Sequence, residues 1–182
     1  MTSPIITERL ILRPWKDEDF APFAEMNADP QVREFFPSLL TREESDAGIR
    51  SLQGTYARDG FCFFPAELIA TGEFIGFIGI QTMDFAVPSV AQPAVEIGWR
   101  LARSAWGQGY ATEAGQAALE YGFDTIGLPE VVAVTMASNA RSQAVMRRIG
   151  MTTDPAEDFD DPDVDEAPLR HHVVYRKLRQ VA

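Results

Sequence analysis

A strand, a glycine-rich turn and a long helix are predicted to follow one another between residues 94 and 126. Side chains alternate from Ala94 to Ala102, which is typical of a strand. One face carries the larger apolar residues Val95, Ile97, Trp99 and Leu101, and the other carries Glu96, Gly98 and Arg100. Gly107 and Gly109 then give a tight turn, and a helix is predicted from about Tyr110 to Ile126. A strand and a helix joined in this way have to pack on each other.

The remaining patterns supply more elements of both kinds. Strands are predicted at residues 7–15, 61–70, 73–83, 130–137 and 172–178. Helices are predicted after Asp17 as an N-cap, at a short turn from Asp29 to Pro37, from Thr41 to about Gly60, and from Asn139 to Gly150. The pair Thr41 and Glu44 has the spacing of a capping box. The order predicts a mixed sheet covered by helices, in a single domain over residues 1–182.

Composition excludes several classes of function. The formal net charge of −11 argues against binding a nucleic-acid backbone, which requires clustered Lys and Arg. No apolar run approaches the roughly 20 residues that span a bilayer, and no secretory signal is predicted at the start of the sequence. Cys62 is the one cysteine, so an intrachain disulfide is impossible and a cytoplasmic location is expected. The adjacent His171 and His172 point to opposite faces of a strand, and we predict no metal.

The glycine-rich turn carries the chemistry that can be predicted from the residues. Small residues at Gly107, Gly109 and Ala111 let the backbone approach a ligand closely, and free N–H groups at a helix start favour phosphate. The segment lacks the third glycine of a dinucleotide fingerprint and the Gly-Lys-Ser/Thr of a nucleotide hydrolase. Taken alone, it also fits an ordinary tight turn.

Three segments together resemble a known family. The run from Trp106 to Ala114 (WGQGYATEA) resembles the acyl-CoA-binding motif of the GNAT N-acetyltransferases, with Trp106 in place of the usual Arg or Gln. It is similar to the branch that contains the ribosomal-protein N-terminal acetyltransferases. The segment from Thr7 to Pro14 resembles that branch's first strand. The segment from Asn139 to Met151 resembles its second cofactor motif, with Met151 where an aromatic residue is usual. The resemblance implies an α+β fold with a mixed, mostly antiparallel sheet flanked by helices.

The resemblance also implies acetyl-CoA as co-substrate. Its pyrophosphate would lie over the N–H groups of residues 107–112, and its pantetheine arm would run beside the strand that ends at Leu101. A backbone N–H near Arg100 would polarise the thioester carbonyl. The candidate cofactor-binding residues are Trp99, Arg100, Leu101, Gly107, Gln108, Gly109, Tyr110, Ala111, Thr112, Asn139, Ser142 and Arg148.

An amine would attack the thioester directly in such an enzyme. Glu96 is the candidate general base, and a surface glutamate in a salt bridge is the alternative for it. Ser142 is the candidate donor to the leaving thiolate, with Asn139 as a cofactor ligand, a helix cap or both. Tyr175 is a second candidate acid that also fits the core. A non-catalytic acyl-CoA-binding or sensor domain is the alternative function.

The resemblance places two segments on the acceptor side of the cleft. One contains Phe35 and Phe36, and the other is the acidic stretch from Asp154 to Pro168. Such a wall favours a cationic amine acceptor, such as a basic protein N-terminus or a small molecule. The alternative is that the acidic stretch is a solvated loop. A monomer or a homodimer is expected.

Overall fold

The structure is a computed structural model that describes residues 4–162, 164 and 167–180. Its helices are α1 (Phe20–Asn27), α2 (Arg42–Asp59), α3 (Tyr110–Glu120), α4 (Ala140–Arg148) and the short α5 (Ala167–Arg170). Its strands are β1 (Ile5–Ile6), β2 (Leu10–Leu12), β3 (Phe63–Leu68), β4 (Phe74–Thr82), β5 (Val95–Leu101), β6 (Glu130–Met136), β7 (Thr152–Thr153), β8 (Phe159–Asp160) and β9 (His171–Leu178). The predicted helix over 110–126 is α3 followed by a π-helical turn at Tyr121–Ile126.

The nine strands of the described residues belong to one sheet, in the order β1-β2-β3-β4-β5-β6-β9-β7, with β8 also paired to β9. Only the β5–β6 pair is parallel among these described strands. The α3 crossover accounts for it, because two parallel strands need a long connection. The fold is therefore the mixed, mostly antiparallel sheet that the sequence predicts.

Local rules position most of the helix ends. The Thr41 and Glu44 capping box is present, and α2 ends at Gly60 with φ 80°. Asn139 caps α4, and Gly150 follows that helix with φ 78°. The predicted cap at Asp17 is wrong. Asp17 begins a short 3-10 turn at Asp17–Asp19 instead, with Lys16 at its N-cap position. The Asp19 carboxylate accepts from the backbone N–H of Lys16 at 2.9 Å and is held by Arg13.

The two faces of the central strands pack against different helices. Ile80 and Ile97 lie on one face and belong to the same buried cluster as Ala118 and Leu119 of α3. Phe77 lies on the opposite face, 6.1 Å from the ring of Phe23 in α1. Strand alternation places Glu96, Gly98 and Arg100 on the same face as Phe77, as predicted. We call it the α1 face.

The described part of the acidic stretch, from Asp154 to Pro162, is more structured than a solvated loop. Asp154 caps a helical turn at Pro155–Glu157, and β8 pairs with β9. Glu157 pairs with Arg176, and Asp160 pairs with His171. The members Asp163, Asp165 and Glu166 lie outside the described residues.

Candidate active site

The turn between β5 and α3 is built for the close approach of a ligand. Gly107 and Gly109 have φ values of 75° and 83°, in the left-handed region where a side chain would be strained. The indole Nε1 of Trp106 donates to the carbonyl of Leu101 at 2.9 Å and ties the turn to the end of β5. The first intrahelical bonds run from Thr112 and Glu113 to Gly109. The N–H groups at the preceding positions of the helix start can therefore serve an anion.

Side chains distant in sequence hold this turn in place. Arg9 of the β1–β2 turn donates to the carbonyl of Gln108 at 2.9 Å, and its guanidinium lies 4.6 Å from the Tyr110 ring centroid. Glu113 of α3 accepts from Arg9 Nε at 2.7 Å and from Thr7 Oγ1 at 2.6 Å. Partial burial acts to raise the pKa of Glu113, but the hydrogen bonds from Thr7 and Arg9 outweigh it and lower that pKa. Sequence reasoning missed this network because its members are about a hundred residues apart.

A gap opens beside β5 where the turn begins. β5 and β6 are paired only at Glu96 and Val132 in the described residues. The part of β5 that follows Glu96 therefore has no paired strand on its β6 side. The N–H of Ala102 donates to Ile75 at 2.9 Å, toward the β4 side. Alternation then directs the N–H groups of Trp99 and Leu101 toward the gap and that of Arg100 toward β4. Among the backbone N–H groups near Arg100, those of Trp99 and Leu101 therefore face the gap, and the N–H of Arg100 itself does not.

Glu96 occupies the α1 face at the paired end of this gap. Its Oε1 accepts from Gln81 Nε2 at 3.2 Å. Burial raises the pKa of Glu96 to about 7, and the nearby charge of Asp84 adds to this, while the hydrogen bond from Gln81 opposes it. The alternative of a surface glutamate in a salt bridge is wrong, since no cation lies within 4.0 Å of Glu96 in the described part of the chain. A carboxyl group with this pKa exchanges its proton near neutral pH.

The two predicted aromatic residues are separated by the structure. The Phe36 ring lies 4.2 Å from the guanidinium of Arg100 on the α1 face and 4.5 Å from that of Arg33. Phe35 instead lies 5.5 Å from Arg141 of α4. Phe36 is therefore placed beside the strand that carries Glu96, and Phe35 is placed beside the start of α4.

The α4 residues have distinct surroundings. Asn139 Oδ1 accepts from the Ser142 N–H at 3.1 Å, and its Nδ2 donates to Thr135 Oγ1, so it caps the helix. The Ser142 side chain is partly exposed, and Arg148 is exposed in the last turn. Tyr175 is 2% exposed and its hydroxyl accepts from Arg147 at 2.9 Å. The structure therefore places Tyr175 in the core.

Comparisons with known proteins fit this geometry. Residues 9–152 match the sequence model of the acetyltransferase (GNAT) domain.

The chain belongs to the GNAT acetyltransferases.

The relatives of this GNAT acetyltransferase include proteins of similar length. It is 31% identical over 148 residues to YnaD of Bacillus subtilis, described as an uncharacterized N-acetyltransferase, with 81% of each chain covered. An acetyltransferase structure from Agrobacterium tumefaciens has a TM-score of 0.77 at 29% identity, covering 97% of this chain and 95% of that one. RimL, a ribosomal-protein alpha-N-acetyltransferase in complex with coenzyme A, has the same fold. Its TM-score is 0.75 at 16% identity, with 97% of this chain and 98% of that chain covered.

Other features of this GNAT chain lie apart from the gap. A cavity of about 510 Å³ is lined by residues such as Met26, Phe74 and Arg103, at the end of β4 away from Gln81 and Glu96. It contains none of the predicted site residues. Burial raises the pKa of the Cys62 thiol to about 12, which makes it unreactive near neutral pH.

Over residues 4–162, 164 and 167–180, none of the helices combines the length and apolarity needed to cross a membrane. Within the same ranges, no three His, Cys, Asp or Glu side chains come close enough together to hold a metal ion.

Proposed function

We propose that this GNAT acetyltransferase transfers the acetyl group of acetyl-CoA directly to an amine, on a protein N-terminus or a small molecule. Glu96 carries the proposal, because a carboxyl group with a pKa of about 7 lies where the β5–β6 gap begins. A base for an ammonium nucleophile needs a pKa near the working pH.

The residues of the turn and the gap suit acetyl-CoA. The helix start at Gly109, Tyr110 and Ala111 offers N–H groups to the pyrophosphate. The backbone of Trp99 and Leu101 faces the gap and would pair with the amides of the pantetheine arm, as an added strand does. One of these N–H groups would also stabilise the oxyanion at the thioester.

The reaction then needs two proton movements. The ammonium form of the acceptor gives a proton to Glu96, directly or through water, and its nitrogen bonds to the acetyl carbon. The carbon–sulfur bond breaks, and the attacking nitrogen loses its second proton as the amide forms. The CoA thiolate takes up that proton and leaves as the free thiol. We propose that Ser142 donates a hydrogen bond to that sulfur, since its hydroxyl lies in the first turn of α4 and is partly exposed.

An acceptor screen tests the proposal. The purified protein is mixed with acetyl-CoA and a panel of amines, and free thiol is measured together with the mass of each acceptor. We expect at least one amine to gain an acetyl group. Tight acetyl-CoA binding with no acetylated amine would instead support a non-catalytic acyl-CoA-binding domain.

A further inference from the structure

Arg100 is a half-buried cation, and no carboxylate of the described residues lies within 4.0 Å of it. Its Nη1 donates to Asn27 Oδ1 at 2.9 Å, and its Nε is buried with no hydrogen-bond partner among the described residues. Burial, together with the nearby charge of Arg33, lowers the pKa of Arg100 to about 9. A guanidinium that lacks a carboxylate partner can still pair with an acidic group of a ligand.

Two other arginines that are largely shielded from solvent each pair with two carboxylates. Arg13, whose side chain is 15% exposed, pairs with Asp19 and Glu67. Arg176, at 21%, pairs with Glu130 and Glu157. Acidic residues outnumber basic ones by 27 to 16 in the sequence, so partners are abundant. The lack of one at Arg100 is therefore a local feature of the site.

A second unpaired guanidinium lies beside the first. Arg33 is 8% exposed, and its Nε donates to the carbonyl of Ser38 at 2.5 Å. Burial lowers the pKa of Arg33, and the charge of Glu44 opposes this. No carboxylate in the described ranges lies within 4.0 Å of the Arg33 guanidinium. Both guanidinium groups contact the Phe36 ring. Two positive charges held this close together attract an anionic ligand and repel a cationic one.

The α1 face of β5 places this cationic pair on the same side as the candidate base. Glu96, Gly98 and Arg100 follow one another along the face, and the Cα atoms at the two ends are about 13 Å apart at strand spacing. Gly98 lies between them, and the Phe63 ring covers it, 2.8 Å from where a Cβ atom would be. The face thus has a proton acceptor at one end, a flat apolar floor in the middle and positive charge at the other end.

We propose that the amine acceptor is anionic, carrying a carboxylate that Arg100 and Arg33 bind while its amine is acetylated beside Glu96. This rests on the proposed function above. A free amino acid, or a small molecule with the same two groups, has this chemistry. Guanidinium groups suit carboxylates because they can donate two parallel hydrogen bonds. If the acceptor is instead cationic and is attracted by the acidic stretch, the test below gives the opposite preference.

The test compares acceptors that differ in one charge. Each of a set of amino acids is assayed against its own carboxamide, with spermidine as a cationic acceptor, and kcat/KM is measured by free-thiol release. We expect the carboxylates to be preferred by about tenfold or more, equivalent to about 1.4 kcal/mol. A preference for carboxamides or spermidine in the unaltered protein would overturn the proposal without any variant.

Variants then locate the effect. Arg100→Met keeps an unbranched side chain against Phe36 and removes the charge, so the carboxylate preference should fall to about one. Arg50→Met is the matched control, because Arg50 also stacks on a ring, 5.6 Å from Phe20, outside the site. Acetyl-CoA affinity, measured by calorimetry, should be unchanged in Arg100→Met. If that affinity falls while the acceptor preference is kept, Arg100 binds a phosphate of the cofactor and the proposal is wrong.

A binding measurement separates this proposal from the proposed function. An N-acetyl amino acid and its carboxamide are titrated into the CoA-saturated protein, which requires no turnover. If no amine is acetylated in any assay, the proposed function fails, and the titration still decides the question of the anion. Tighter binding of the carboxylate that is lost in Arg100→Met supports the site, and equal or absent binding overturns it.

Discussion

Replacing Glu96 with glutamine removes the proposed proton acceptor and keeps the size of the side chain. The amide oxygen of glutamine can still accept from Gln81, as the carboxylate does at 3.2 Å. The maximal rate should fall by about 10²–10⁴-fold, the usual contribution of a positioned base. Acetyl-CoA affinity should be unchanged, because the glycine turn and the backbone of β5 are not altered.

The pH profile gives this prediction a second readout. Because the pKa of Glu96 is raised to about 7, only about half of the carboxyl groups are ionised at pH 7. Below that pH, kcat/KM of the unaltered enzyme should fall about tenfold per pH unit. Glu96→Gln should lose this inflection and keep the one that belongs to the acceptor amine.

The free energy of unfolding should fall over the pH range in which kcat/KM rises. The pKa of Glu96 is about 7 in the folded chain against an ordinary 4.5, so the folded state holds the proton more tightly. The free energy of unfolding therefore decreases as pH rises from about 4.5 to about 7. At about 1.4 kcal/mol per pH unit, the full effect is about 3 kcal/mol. Relative to the unaltered protein, Glu96→Gln should gain up to that amount between pH 4 and pH 8.

Steady-state rates and denaturant unfolding at several pH values provide the measurements. Glu43→Gln is the control, since Glu43 is exposed on α2 and outside the site. A near-normal rate for Glu96→Gln across the pH range would show that the proton leaves by another route. A stability difference that is independent of pH would show that the Glu96 carboxylate is not desolvated.

Three further predictions concern the turn, its support and the leaving group. Gln108→Glu adds a negative charge at the exposed turn and should weaken acetyl-CoA binding about tenfold in calorimetry, whereas Gln116→Glu, further along α3, should not. Gln108→Glu is a better test than a substitution of Gly109, because the φ of 83° at Gly109 would strain any side chain even when no ligand is bound. Glu113→Gln weakens the bonds from Arg9 and Thr7 and should cost about 1–3 kcal/mol in denaturant unfolding; an unchanged value would mean that solvent replaces the network. Ser142→Ala should lower kcat about twofold to tenfold, the loss of one hydrogen bond of about 0.5–1.5 kcal/mol, and an equal kcat would remove Ser142 from the mechanism.

Local patterns predicted much of this fold. The alternation from Val95 to Leu101 gave the two faces of β5, and the caps at Thr41 and Asn139 gave two helix starts. Both depend on neighbours within four residues, which a sequence displays directly. The N-cap predicted at Asp17 was misplaced because a 3-10 turn precedes α1, and the Asp19 carboxylate in that turn is fixed by its contact with Arg13.

The site could be predicted only in outline. Glu96 and the glycine turn follow from the strand and turn patterns. The raised pKa of Glu96 depends on burial and on Asp84, and the unpaired state of Arg100 depends on what surrounds it. Arg100 was expected to serve the cofactor through its backbone, and the register turns that backbone toward β4. Such properties depend on residues that meet only in the folded chain.

The central claim is that acetyl-CoA gives its acetyl group directly to an amine. The most direct measurement is a single-turnover experiment with labelled acetyl-CoA, in which released thiol, acetylated amine and acetylated protein are quantified together. The account predicts one thiol and one acetylated amine per acetyl-CoA consumed, no thiol release without the amine, and no label on the protein. Thiol release before the amine is added, with the label on the protein, would contradict it.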